Sequence, residues 1–371
     1  MDLKGKIFDV KIFHFIKGSI LVFILMGVGC SSDTNVGPDV KLKGDRTLSV
    51  DITESEVGGY NLALARGREL GIEDVKLSFD WNLMETSQGF DFSFIDIANT
   101  YYPDINIPVS LILRPIDTNR ATLPEDITSR PFDDPLVIQR FNALLDSIFN
   151  RTPDLTINSI LIGNEIDAYL GTDADAWEAF ETFFKATRDH TKSLFGESMK
   201  VGTIGQLYGL VGDQEVFFKS INQHSDFTAV TYYPLNDDFT VKDPLSIGED
   251  FDNLVSKHGS RSIHFIECGY PSGTLNESSE AMQAEFVAQV FIAWDKHINQ
   301  VEHITFSWLT DISEQTANEF VQQYGLSGSP FQSQFKEYLW TLGLRSHDGT
   351  GRDKPAFIQV RDEARKRGWD I

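Results

Sequence analysis

Two glutamates stand out by their settings. Glu165 ends the run Ser159-Ile160-Leu161-Ile162-Gly163-Asn164-Glu165, and Glu267 follows Ile263-His264-Phe265-Ile266 and precedes Cys268-Gly269-Tyr270-Pro271. In both, a short apolar run ends in a carboxylate. Such a run, bounded by Gly or Pro, reads as a buried parallel strand. A carboxylate at the C-terminal tip of a barrel strand stands where barrel enzymes keep their chemistry. Two of them, far apart in sequence but both at strand tips, predict a facing acid pair, which glycoside hydrolysis requires. Other chemistries lack their residues. The chain has no His-Glu-x-x-His, no Cys-x-x-Cys, no Gly-x-Ser-x-Gly elbow and no phosphate loop. Cys268 adjoins Glu267, but successive strand side chains face opposite ways. If Glu267 points to the site, Cys268 points to the layer between strands and helices.

The elements that would position this pair alternate along the chain. Strands are expected at Leu48–Ile52, Val75–Phe79, Ile107–Leu113, Ile157–Ile162, Val201–Ile204, Phe227–Tyr232, Ile263–Ile266 and Ile304–Trp308. Helical periodicity falls between them, at Ser55–Leu70, Phe94–Tyr102, Leu136–Phe149, Ala174–Leu194, Asp213–Ile221, Asp250–His258 and Ser279–His297. A last pair, Gln332–Leu342 and Pro355–Lys366, closes the chain. Eight strands separated by helices are the pattern of an α/β fold of the (β/α)8 TIM-barrel type, one domain over residues 46–371. A doubly wound sheet would carry a Gly-rich turn after an early strand, and none is present.

The 371 residues carry a net charge of −23, which argues against nucleic acid and anionic membrane surfaces as partners. The N-terminus is a targeting signal. Lys4, Lys6, Lys11 and Lys17 precede the apolar run 20–26, and Gly27-Val28-Gly29-Cys30 follows. This resembles the lipobox of bacterial lipoproteins, with Gly27 in place of the usual large aliphatic residue. Residues 1–29 are then a signal peptide, Cys30 the lipidated residue and 30–45 a polar tether. The expectation is a monomer in the bacterial cell envelope, facing the periplasm or the cell surface, touching the membrane only through its lipid. With Cys30 lipidated, Cys268 has no disulfide partner.

Further motifs agree with the acid pair. Trp81-Asn82-Leu83-Met84-Glu85 runs on to Gly89-Phe90-Asp91-Phe92 after the second strand. Thr231-Tyr232-Tyr233-Pro234 ends the sixth, Phe306-Ser307-Trp308 the eighth, and Gly343-Leu344, Asp348-Gly349 and Lys354-Pro355-Ala356 close the chain. Together with Asn164-Glu165 and Glu267 they resemble clan A of the retaining β-glycosidases, over most of residues 47–360. Gly-Asn-Glu and Glu-x-Gly-Tyr-Pro-Ser are most similar to its endo-β-1,3-glucanase and endo-β-1,4-galactanase branches. The resemblance implies hydrolysis of a β-linked glycan with retention and no cofactor. Glu165 would be the acid/base and Glu267 the nucleophile. Asn164 would bind the sugar 2-hydroxyl, and Tyr232 or Tyr233, with Tyr233 favoured beside Pro234, would donate to the nucleophile. Trp308 would stack on the sugar, and Trp81 would be a sugar platform or a loop anchor. Many clan members carry an arginine on strand two. Here that strand has Lys76, and Arg114 at the tip of strand three either replaces the arginine in space or is a loop residue. Two rivals remain on this scaffold, a transglycosylase and a glycan-binding lipoprotein without catalysis.

Overall fold

The computed structural model describes residues 40–53, 59–347 and 351–371. The signal peptide, Cys30 and the Asp348-Gly349 motif lie outside the described residues. Among the described residues, the barrel strands are β1 (Thr47–Val50), β2 (Val75–Asp80), β3 (Val109–Asp117), β4 (Ile157–Asn164), β5 (Lys200–Gly202 and Ile204–Gln206), β6 (Thr228–Tyr232), β7 (Ile263–Cys268) and β8 (Val301–Phe306). They pair in parallel in chain order. A bridge between Ser49 and Asp74 joins β1 to the start of β2, and pairing of β1 with β8 closes the barrel. β5 is interrupted at Thr203, its first half pairing with β4 and its second with β6.

Among the described residues, eight helices form the outer ring: α1 (Gly59–Arg68), α2 (Ser93–Ile105), α3 (Pro135–Arg151), α4 (Ala174–Phe195), α5 (Glu215–Ile221), α6 (Ile247–His258), α7 (Glu280–Lys296) and α8 (Pro355–Arg367). The chain is therefore a (β/α)8 TIM barrel. Local signals start the helices: Asp134 caps α3 with Pro135 at its first position, Asp173 caps α4, and Ser279 caps α7. Residues 43–46 already pack on the barrel. Arg46 is buried against Trp294 and Trp369 and ion-paired to Asp295 at 2.9 Å.

Alternation along the strands sorts side chains between two layers. On β6, Phe227, Ala229, Thr231 and Tyr233 face the lumen, whereas Val230 and Tyr232 pack outward under the helices. The lumen itself is split. Ile112, Leu161, Ile204, Phe227, Ala229 and Ile266 form an apolar cluster on the β3–β7 side. On the β8–β1–β2 side the inward positions are polar: Ser49 and Asp51, Lys76, Ser78 and Asp80, then His303, Thr305 and Ser307.

Candidate active site

Glu165 sits just past the end of β4 and Glu267 within β7, both near the C-terminal mouth of the barrel. Strict alternation would not deliver Glu267. Ile266 already faces the lumen, and the next residue should turn outward. The pairing of β7 slips here: Val230 is opposite Phe265, but Thr231 is opposite Glu267. This bulge takes up one residue and re-aims Glu267 inward. Cys268 then packs in the outer layer, where burial raises its thiol pKa well above the usual range.

At β4 the backbone does the aiming. Gly163 has φ +86°, and a Cβ there would stand 2.8 Å from Ile166 Cγ2 and 3.1 Å from Phe180. Glu165 itself lies in the left-handed region, φ 46° and ψ 47°. So does its neighbour in space, Thr118, at φ 53°. A β-branched residue at positive φ is a genuine outlier, and such outliers concentrate at functional sites. Thr118 N donates to Asn164 O at 3.1 Å, and its hydroxyl donates to Glu165 Oε2 at 3.1 Å.

Thr231 links the two acids. Its hydroxyl donates to Glu165 Oε1 at 2.5 Å, while its backbone is the register partner of Glu267. Adjacent strands lie about 4.8 Å apart, so the two carboxyls occupy one site. Their partners differ in kind. Glu165 is held by neutral donors, Thr231, Thr118 and Gln206 (Nε2 at 3.3 Å from Oε2). Glu267 receives a cation and a phenol: Lys76 Nζ at 2.9 Å on Oε1 and Tyr233 Oη at 2.7 Å on Oε2. Lys76 reaches Asp51 Oδ2 at 2.9 Å as well. Burial by itself lowers the Lys76 pKa, but Asp51 and Glu267 raise it on balance, so it stays charged. Burial, then the Glu267 charge, push the Tyr233 phenol well up, which keeps it a donor.

The remaining predicted residues fall in different places. Tyr233 is on Glu267. Tyr232, one position off in parity, points outward and donates to Asp250 Oδ2 at 2.7 Å, away from the acids. Asn164 is fully buried beside Glu165, and its side-chain amide has no hydrogen-bond partner among the described residues. Trp308 follows a cis Ser307–Trp308 peptide and shares a buried cluster with Tyr233 and Phe239. Trp81 is completely buried, edge-on to Phe141 of α3 at 5.0 Å, and donates to Glu85 Oε2 at 2.8 Å, so it anchors its loop. Arg114 is ion-paired to Asp80 at 2.6 Å and Asp117 at 3.5 Å, and Lys76 is the cation on Glu267. His264 stacks on Phe227 at 4.1 Å inside the barrel. Among the described residues, no group of His, Cys, Asp and Glu could hold a metal ion.

Asp51, Lys76, Thr118, Gln206 and Thr231 belong to the site but are not singled out by sequence reasoning as functional. The signal for Lys76 was present. A lysine followed at every second position by Ser78 and Asp80, along Val75–Phe79 and the residue after it, is a polar stripe on one face of an otherwise apolar strand.

Compared by sequence, the chain matches no family model and no curated protein. Compared by fold, it resembles the GH5_18 structure from Streptomyces cattleya in complex with GlcNAc, at a TM-score of 0.65 and 16% identity, over 89% of this chain and 81% of that one. It is similar to the GH53 catalytic domain of Ignisphaera aggregans, with a TM-score of 0.61 and 15% identity, over 88% and 99% of the two chains. It also resembles a fungal β-1,4-galactanase, at a TM-score of 0.60 and 13% identity, over 86% and 99%.

Proposed function

We propose that this protein is a retaining β-glycosidase, and one observation carries the reading. Two glutamates from distant strands meet at the barrel mouth in environments that differ in kind, a cation and a phenol on one and neutral donors on the other. Glu267 takes Lys76 on one oxygen and Tyr233 on the other, an arrangement that stabilises the anion. It is the nucleophile. Glu165 lies among hydroxyl and amide groups that can serve a protonated carboxyl as well as a charged one. It is the acid/base. Such a divergence of environments between two carboxyls is how acid and nucleophile are separated. Asn164 is placed to bind the sugar beside the reacting carbon. The barrels of similar fold include named glycoside hydrolases and β-1,4-galactanases, which supports the same chemistry here.

In the first step Glu267 attacks the anomeric carbon as Glu165 protonates the departing oxygen. Water, deprotonated by Glu165, then releases the sugar with net retention. Both carboxyls are buried, at 0% and 3% exposure, so a substrate reaches them when segments at the mouth part. The enzyme would work in the cell envelope, held by lipid on Cys30. Cys30→Ala should then move it from the membrane to the soluble fraction, and a variant still sedimenting with membranes rejects the anchor.

The chemistry has its own test. Glu267→Ala should lower hydrolysis of an aryl β-glycoside by several orders of magnitude without changing Tm. Added azide should restore turnover, giving the α-glycosyl azide: the new C–N bond forms at the anomeric carbon as the bond from that carbon to the aryloxy oxygen breaks, and the phenol leaves with the proton of Glu165. Hydrolysis unaffected in this variant, or a β-configured azide, contradicts the assignment.

A further inference from the structure

The connection from β8 to α8 folds into two further helices, Glu314–Gln323 and Gln332–Trp340. Their apolar faces form a small core separate from that of the barrel, in which Phe320, Phe335 and Leu339 join Tyr233, Phe239 and Trp308. The base of this insertion is firmly held. Lys354 Nζ and Gly343 N both donate to Asp311 Oδ1, at 2.7 and 2.8 Å, and Gln283 Nε2 donates to the carbonyls of Tyr270, Leu342 and Gly343. The insertion is thus a fixed wall of the mouth.

Tyr338 faces the acids from this wall. Its ring stands edge-on to Tyr233, centroids 5.6 Å apart, and is 1% exposed. Burial, then the charges of Glu165 and Glu267, hold its phenol well above the ordinary pKa, so it is a standing donor near both carboxyls. Its hydroxyl reaches only that of Tyr233 among the described residues, without good hydrogen-bond geometry, and the Tyr233 hydroxyl already donates to Glu267. The buried amide of Asn164 also lacks a hydrogen-bond partner among the described residues. A buried polar group left unsatisfied is costly, and such exceptions call for a reason, of which a missing ligand is one. Two of them beside one acid pair mark a polar, hydroxyl-rich occupant. The charge around it is lopsided. Lys76, Arg114 and Arg120 are already engaged by Glu267, Asp51, Asp80 and Asp117, and Glu165 adds a further carboxyl.

We infer that Tyr338 is a substrate-contacting residue of this site, its hydroxyl donating to a hydroxyl of a neutral glycosyl unit held over Glu165 and Glu267. A uronic acid in the same position would set a further carboxylate among acids whose cations, among the described residues, are already paired. The inference rests on the glycosidase reading above.

Wild type is screened on 4-nitrophenyl β-glycosides of neutral sugars and of glucuronic acid. The best substrate is then assayed with its monodeoxy analogues, for wild type and for Tyr338→Phe. The neutral sugars should be preferred. Tyr338→Phe should lose about 10- to 100-fold in kcat/KM on the parent. On the one analogue lacking the contacted hydroxyl it should match wild type, with Tm unchanged. Preference for the glucuronide, unchanged kcat/KM, or equal loss on every analogue overturns the inference. If wild type turns over none of these, the hydrolase reading fails by itself. Tyr338 is then judged by calorimetry on neutral β-linked disaccharides: roughly tenfold weaker binding by the variant upholds it, and equal or absent binding overturns it.

Discussion

Lys76 lies between the carboxylates of Asp51 and Glu267, 2.9 Å from each, and all three side chains are nearly inaccessible to water. Removing one partner of a buried ionic set leaves an uncompensated charge and typically costs about 3–5 kcal/mol. Lys76→Met should therefore lower unfolding stability by about 3 kcal/mol or more in urea titration, and kcat/KM should fall with it. Lys76→Arg, which keeps the charge, should recover part of both. Full activity in the methionine variant would show that the cation is not needed on Glu267. At this scale the sequence is legible in part. Strand-tip position names Glu165 and Glu267, the resemblance adds Asn164, and the place beside Pro234 favours Tyr233 over Tyr232. Parity gives the physical reason: Thr231 faces inward, so Tyr233 does as well, and Tyr232 is left to Asp250. Trp81 and Arg114 were harder, because a loop residue's direction follows from contacts made elsewhere, with Glu85 and Phe141 in one case and Asp80 in the other.

The elements themselves were written in hydrophobic period, and each expected strand exists within a few residues. Three departures have physical causes. β3 continues through Arg114-Pro115 to Asp117, because Asp117 bridges back to Arg120 and pairs with Asn164 across a bulge. β7 carries the bulge at Ile266, which no propensity announces. The helix Glu314–Gln323 leaves little trace in the sequence because its buried face amounts to Ala317, Phe320 and Val321 in an otherwise polar stretch. The seam between α7 and α8 makes a prediction of its own. Asp295 of α7 accepts two bonds from Arg367 Nε, at 3.0 Å each, one from Arg367 Nη2 at 2.7 Å, and one from Arg46 at 2.9 Å. Both arginines are about 2% exposed or less. Asp295→Ala would bury two guanidinium groups with, among the described residues, only Glu363 left to compensate Arg367. Thermal unfolding should show a loss of about 3–5 kcal/mol, and a change under about 1 kcal/mol would mean that the seam is held by its aromatic contacts alone.

For the whole molecule, the barrel lumen divides into an apolar wall on the β3–β7 side and a polar wall formed by β8, β1 and β2, and His264 sits where they meet. Its ring stacks on Phe227 of the apolar wall, 22° from parallel, and lies 5.6 Å from that of His303 on the polar one. Burial is the main cause that brings its pKa from 6.5 down to about 4; the hydrogen bond to Glu302 opposes this, and His303 and Lys200 add to it. The sign follows directly. Below pH 6.5 the unfolded chain takes up a proton that the folded one refuses until about pH 4. Stability from this site is complete above pH 6.5 and is lost as pH falls toward 4, in all about 3 kcal/mol. The net charge of −23 pulls the other way, since acidification relieves self-repulsion among the surface carboxylates. Bulk stability against pH therefore mixes two opposed trends, and only a difference measurement separates them. His264→Phe keeps the stacking on Phe227 and removes the titration, while leaving the surface charge above pH 6.5 unchanged. Its unfolding free energy minus that of wild type, taken at each pH between 4 and 7, should rise by about 3 kcal/mol as pH falls. A flat difference curve would mean that the ring protonates as readily in the folded barrel as in the open chain.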